Sequence, residues 1–148
     1  MNLFFDDLDI GYRDRYGPYE VSKEEIIEFA KKYDPEAFHT DEMAGKKSIY
    51  GGLVASSSQL FPIAYALSHM CENRIVILAP LGIDEVTFPG PLRPGDKVYC
   101  EIEIVEKTAS KSKPDRGIMK SHTVLKTSDD AAVLDYMHTL LVARKSVP

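Results

Sequence analysis

The sequence predicts an α+β domain in which one antiparallel sheet wraps around one long helix. Three observations carry this. The first half of the chain holds two helical patterns, and the second, from about Leu53 to Met70, is apolar on most of its faces. The second half holds strand patterns in succession, with period-two alternation clearest from Val98 to Ile104. The chain has 148 residues, 44% apolar and 28% charged, which suits a single domain over 1–148 with its own core. Strands packed on a segregated helix make the class α+β.

The elements follow in order. "YRDRYGPYEV", Tyr12 to Val21, leaves room for a short strand. Ser22 and Glu25 stand at capping-box spacing, and Val21 with Ile26 fits a hydrophobic staple, so a helix starts there. Ile26, Ile27, Phe29 and Ala30 give it an apolar face. Pro35 disfavours helical geometry at Asp34, so the helix ends near Tyr33. In the second pattern Leu53, Ser57, Leu60, Ala64, Leu67 and Cys71 recur at spacings of three and four. Such a helix would be about 30 Å long at about 1.5 Å per residue, buried all round, and kinked at Pro62. Strands are expected at Leu81–Phe88, over "KVYCEIEIVEK", and over "GIMKSHTVLKT" and "VLDYMHTLLVAR", with a Pro-Gly turn at Arg93–Asp96. A meander wrapped on one helix is the hot-dog arrangement. It covers the helix on one side only, so the free sheet edge predicts a homodimer.

The net charge of −5 argues against a nucleic-acid surface and against docking on anionic lipid. "MNLFFDDLDIGYRDRY" has no basic n-region followed by an apolar run, so no signal peptide is expected. No stretch is long and apolar enough for a membrane helix. Cys71 and Cys100 show no metal or redox spacing, as in small buried residues of a reducing compartment, and a cytoplasmic location is expected.

The segment "YDPEAFHTDEMA", followed by "YGGLVASS", resembles the MaoC-like acyl dehydratases, which include (R)-specific enoyl-CoA hydratases of the hot-dog superfamily. Asp34, a proline nearby, His39 five residues on and then Gly51 match that family's motif in order. "GIDEVTFPGPLRPGDKV" and "SKSKPDRGI" are similar to family segments as well. Pro35 follows Asp34 directly, without the asparagine many members place before the proline, which resembles a DPxxFH branch. Gln59 falls where some hydratases carry a serine.

The resemblance implies cofactor-free hydration of a trans-2-enoyl thioester of coenzyme A or an acyl carrier, or the reverse dehydration of an (R)-3-hydroxyacyl thioester. That chemistry needs an activated water at the β-carbon and a proton at the α-carbon. Histidine, with an ordinary pKa of about 6.5, is suited to it, and a carboxylate beside it holds the same water. Asp34 and His39 are the candidate pair. The thioester oxygen gains charge in the transition state, and a backbone N–H at a helix start stabilises it. Gly51 is the candidate for that N–H, expected to open the long helix, with Gly52 the alternative. Gln59 and Ile63 are candidate acyl-pocket residues. Lys111, Lys113 and Arg116 are candidates for the coenzyme A phosphates, within the chain or across a dimer.

Other readings of the same residues stand beside these. Asp34 can simply end one helix and cap the next, with His39 an ordinary surface residue. Gly51-Gly52 is also what a flexible connection looks like, and "SKSKPDRG" also reads as a solvated hairpin. Asp34, Glu36, His39 and Asp41 match no strong metal signature, so no metal is expected. Ser56-Ser57-Ser58 lacks the nucleophile-elbow pattern. His69, His122 and His138 have no recognisable partners. Two functions compete with hydration: a hot-dog acyl-CoA thioesterase, and a non-catalytic subunit that binds acyl thioesters.

Overall fold

The structure, a computed structural model, describes residues Met1 to Lys145. Its strands are β1 (Asn2–Leu3), β2 (Arg13–Glu20), β3 (Arg74–Ile75), β4 (Ile77–Thr87), β5 (Lys97–Ala109), β6 (Arg116–Thr127) and β7 (Ala132–Ala143). Its helices are α1 (Lys23–Tyr33), α2 (Ala37–Thr40), α3 (Glu42–Lys47) and α4 (Ser57–Ser68), with a 3-10 turn at Phe5–Asp7. Five strands form an antiparallel sheet in the order β2-β5-β6-β7-β4, while β1 and β3 pair in parallel as a separate short ribbon.

The alternation in β5 does what its sequence predicts. Val98, Cys100 and Ile104 are buried, while Glu101 and Glu103 face the other side and reach Lys126 and Arg13. Val98 and Cys100 join Leu125, Leu134 and Tyr136 against Leu60, Ile63, Ala64 and Leu67 of α4. Each such buried aliphatic side chain contributes about 1.5–3 kcal/mol relative to exposure. A second cluster, Phe5, Leu8, Ile104, Met119, Leu140 and Val142, seals the N-terminal turn to the sheet.

Four expectations are corrected. Only β5, β6 and β7 form a meander, because β4 crosses to the far edge beside β7. β4 also begins at Ile77, ahead of the expected Leu81. Pro80 hid its start. Proline is tolerated in an edge strand, and the pairing register shifts between Pro80 and Gly82. The long helix is shorter than its apolar pattern. α4 has 12 residues, and Leu53, Val54 and Ala55 pack as an extended, buried segment ahead of it. Nor is α4 buried all round: Pro62, Tyr65 and Ala66 are exposed, and Pro62 lies within the helix.

Candidate functional site

Local sequence rules place the pair. Ser22 accepts from the Glu25 N–H at 3.1 Å and starts α1 through a full capping box. Val21 and Ile26 are both fully buried, as a staple requires. α1 ends at Tyr33, with Asp34 as its C-cap. The chain then turns through Pro35 into the short α2, which carries His39. Asp41 caps α3, accepting from the N–H groups of Met43 at 2.8 Å and Ala44 at 3.4 Å. Gly45 of α3 packs on backbone, and a Cβ there would lie 2.6 Å from the Leu53 nitrogen. That close approach seats the extended segment against the α2–α3 turn. The Val54 N–H donates to Phe38 O at 3.3 Å, and the Ala55 N–H to Leu92 O at 2.9 Å.

His39 is buried, 8% exposed at its side chain, against 35% for Asp34. Its Nδ1 lies 2.7 Å from Val54 O. A carbonyl only accepts, so Nδ1 carries the hydrogen and the neutral ring presents a lone pair at Nε2. That Nε2 is 3.5 Å from Asp34 Oδ2. The ring is further held edge-on to Phe38, whose own ring meets Tyr50.

Sequence reasoning took up Ser56 only within the Ser56-Ser57-Ser58 triplet, as a polar position and not as a partner of Asp34, yet it completes the site. It is fully buried, and its Oγ donates to Asp34 Oδ2 at 2.6 Å. With its hydrogen committed there, it accepts from the Ser58 hydroxyl at 2.8 Å and the Ser58 N–H at 3.3 Å. The same residue is the N-cap of α4. A signal existed: Ser56 and Gln59 stand at the S-x-x-Q capping spacing, which marks a helix start at 56 rather than at the glycines.

The glycine expectation is revised. Gly51 and Gly52 do not open the helix. Gly51 sits in a turn at φ +65°, a conformation that favours glycine, and its N–H donates to Ser48 O at 3.1 Å. Among the described residues the Gly52 N–H makes no backbone hydrogen bond. A Cβ on Gly52 would stand 3.0 Å from Nη1 of Arg93, close enough that the arginine would have to give a little. Sequence reasoning read Arg93 only as part of a turn.

Gln59 and Ile63 are buried and line a cleft of about 380 Å³ between α1 and α4, with Tyr19, Phe29 and Pro62. Among the described residues the buried Gln59 Oε1 has no hydrogen-bond partner. A hydrogen bond to Glu25, together with burial, pushes the Tyr19 hydroxyl up to about 12. A roomier cavity of about 550 Å³ lies toward the other end of α4, lined by Tyr65, Ser121, Thr123, Tyr136 and His138. Burial holds His138 below its ordinary pKa. Neither Asp34 nor His39 lines either space, so the site is assigned on the geometry of the pair rather than on cavity size.

The basic hairpin is not brought to the pair within the chain. Lys111, Lys113 and Arg116 sit beyond Ala109, whereas the Leu92–Arg93 turn that touches the site precedes Lys97 at the other end of the 13-residue β5. A strand of that length spans roughly 40 Å. Arg116 is paired with Asp115 at 2.8 Å. The four acidic and histidine groups weighed as a metal site do not converge, since Asp41 is turned to its helix cap. His122 has a partner unforeseen in the sequence, Asp135 at 2.8 Å across the β6–β7 pair. Burial pushes the Cys100 thiol up to about 12, and both cysteines are free. Among the described residues no helix is long and apolar enough to cross a membrane.

The architecture is therefore a hot-dog domain with a carboxylate–imidazole pair held where its central helix begins. The chain belongs to the MaoC-like domain family, whose model matches residues 12–125. It is similar to protein YdeM of Bacillus subtilis (strain 168), described as uncharacterized, at 30% identity over 105 residues, 69% of this chain and 73% of that one. Among solved structures it is similar to a MaoC-like dehydratase from Rhodospirillum rubrum. The identity is 30%, the TM-score 0.89, and 98% of this chain and 99% of that chain are covered. An (R)-hydratase from Pseudomonas aeruginosa shares the fold at TM-score 0.73 and 16% identity, covering 99% of this chain and 93% of that one.

Proposed function

We propose that the protein is a hydro-lyase that adds water to a trans-2-enoyl thioester of coenzyme A or an acyl carrier, and in reverse dehydrates the (R)-3-hydroxyacyl thioester. Membership of a family with dehydratases and (R)-hydratases among its solved relatives supports the class. The observation that carries the reading is the 3.5 Å approach of His39 Nε2 to Asp34 Oδ2, with the imidazole tautomer set by Val54 O. Two acceptors at that separation suit one water, which has two hydrogens to give. The pair takes a proton from that water as its oxygen bonds to the β-carbon, and a proton is returned to the α-carbon. Oxygen and hydrogen balance, and no redox or metal cofactor is required. Such proton transfer contributes about 10²- to 10⁴-fold.

Ser56 holds the carboxylate, and the Gly52 N–H is our candidate donor to the thioester oxygen in place of Gly51. Gln59 and Ile63, beside the cleft between α1 and α4, are our candidates for the acyl chain. The exposed apolar residues Ile77, Leu78, Leu81 and Val86 on edge strand β4 support assembly as a homodimer. In that assembly the Lys111–Arg116 hairpin would meet coenzyme A only at the partner's site. A cytoplasmic location accords with the free thiols.

Crotonyl-CoA tests the reading against its competitors. Loss of enoyl-thioester absorbance with no free thiol is the result expected. Thiol release would make the protein a thioesterase, and binding without either change would make it a non-catalytic acyl-thioester subunit.

A further inference from the structure

Arg93 is a cation that reaches the glycine loop following the pair in sequence, and nothing in the described chain neutralises it. Its backbone is fixed by a tight turn. The Arg93 N–H donates to Asp96 Oδ2 at 2.8 Å, the Asp96 N–H returns to Arg93 O at 3.1 Å, and the Gly95 N–H ties the turn to Val21 O at 2.7 Å. From that base the half-buried side chain crosses to the glycine loop, where Nη2 donates to Tyr50 O at 2.6 Å. Nη1 lies 3.0 Å from where a side chain on Gly52 would begin. Among the described residues Arg93 makes no ion pair, and Asp96, the carboxylate nearest in sequence, is occupied by the turn itself. A guanidinium has five N–H donors, and one serves Tyr50. The rest of the fork is left without a protein acceptor on the loop that carries the Gly52 amide. Partial burial strengthens an ion pair made there relative to one in open solvent.

We propose that Arg93 is the anion-recognition residue of the site, taking in its fork an oxyanion carried by the thioester substrate, either a carboxylate on the acyl group or a phosphate of the carrier arm. The chemistry is the same for both, since planar guanidinium matches paired oxygens of carboxylate and phosphate alike. The proposal rests on the thioester reading above, and deepens it by assigning substrate charge to a residue outside the hairpin. A side chain at Gly52 would crowd the guanidinium, since its Cβ would stand 3.0 Å from Nη1.

Binding calorimetry separates the possibilities with three ligands. Crotonyl-pantetheine carries no phosphate and no carboxylate. Crotonyl-CoA adds the phosphates. A trans-2-enoyl pantetheine thioester ending in a carboxylate adds only that group. The readout is the ratio of Kd for the neutral ligand to Kd for each charged one, in the wild type and in Arg93→Met. One charged ligand should bind more tightly than the neutral one, and Arg93→Met should cut that ratio by about tenfold. The ligand whose ratio collapses names the source of the oxyanion. Arg93→Lys, which keeps the charge without the fork, should give an intermediate ratio, and it serves alone if Arg93→Met does not fold. An unchanged ratio in the variants overturns the proposal, whether all three ligands weaken equally, as for a mere brace of the glycine loop, or none does. A wild type that binds neither charged ligand in preference overturns it too. Selective binding lost in the variant, in a protein that hydrates none of the three, would sustain Arg93 as an anion site while removing the hydratase reading.

Discussion

Ser56 links two jobs that are separable in principle. Its backbone position starts α4, and its hydroxyl holds Asp34 Oδ2. Replacing it by Ala should cost about 0.5–2 kcal/mol of stability through the lost cap, read in denaturant unfolding. A hydrogen bond to a charged group is worth about 1.5–3 kcal/mol, so kcat should also fall, by roughly 10- to 150-fold if the bond acts in the transition state. A loss of stability with unchanged kcat would mean that Asp34 needs no such support. At this scale the sequence revealed the pair, because Asp34-Pro35 fixes a helix end and His39 follows at motif spacing. It hid what completes the pair. The Val54 carbonyl that orients His39 and the serine that holds Asp34 belong to a segment 15 to 22 residues further on. Neither the side-chain-to-backbone contact of His39 nor the side-chain-to-side-chain contact of Ser56 leaves a pattern in a single sequence at that separation.

Among the elements, the glycine turn and the extended segment that follows it, Leu53 to Ala55, matter most, and the segment is also where the helical pattern misled. Leu53 sits four residues before Ser57, so it joins the apolar periodicity of α4 while lying outside it. Its neighbours bond sideways, to Phe38 and Leu92, rather than along a helix. The capping box of α1, by contrast, was legible because its signals lie within one turn of chain. Gly45→Ala tests how the segment is seated. The new Cβ would meet the backbone of Gly52 and Leu53 at 2.6–2.8 Å, and backbone yields only at a cost of about 1–3 kcal/mol. Lower stability together with lost hydration is expected, and a variant with wild-type stability would show that α3 does not pack on this loop. In α4, Leu60→Ala or Leu67→Ala should cost about 2–5 kcal/mol in the same unfolding measurement, since both are buried in the main core. Less than about 1 kcal/mol at both would place the core elsewhere.

For the whole molecule, the unpaired side of β4 is the feature to explain. Leu81 is 52% exposed, and it shares the strand with Ile77, Leu78 and Val86. A row of unpaired backbone groups flanked by apolar side chains is a pairing surface. Sedimentation should find a dimer, and Leu81→Lys should shift it toward monomer. A wild-type monomer at micromolar concentration would contradict the assembly and remove the route by which Lys111 and Lys113 reach a partner's site. The sequence anticipated a free edge but not which strand forms it. The crossing of β4 to the far side of β7 depends on long-range pairing that strand propensity does not encode.

The proposed chemistry stands or falls on Asp34 and His39 acting together on one water. The decisive measurement is the rate of enoyl-thioester absorbance loss on adding crotonyl-CoA to the wild type, Asp34→Asn, His39→Ala and the double variant, each checked for folding. The wild type should hydrate, each single variant should lose at least about 10²-fold in kcat, and the double variant should be little slower than the worse single. Full hydration by either single variant, or a double variant slowed by the product of the two effects, would contradict a shared site.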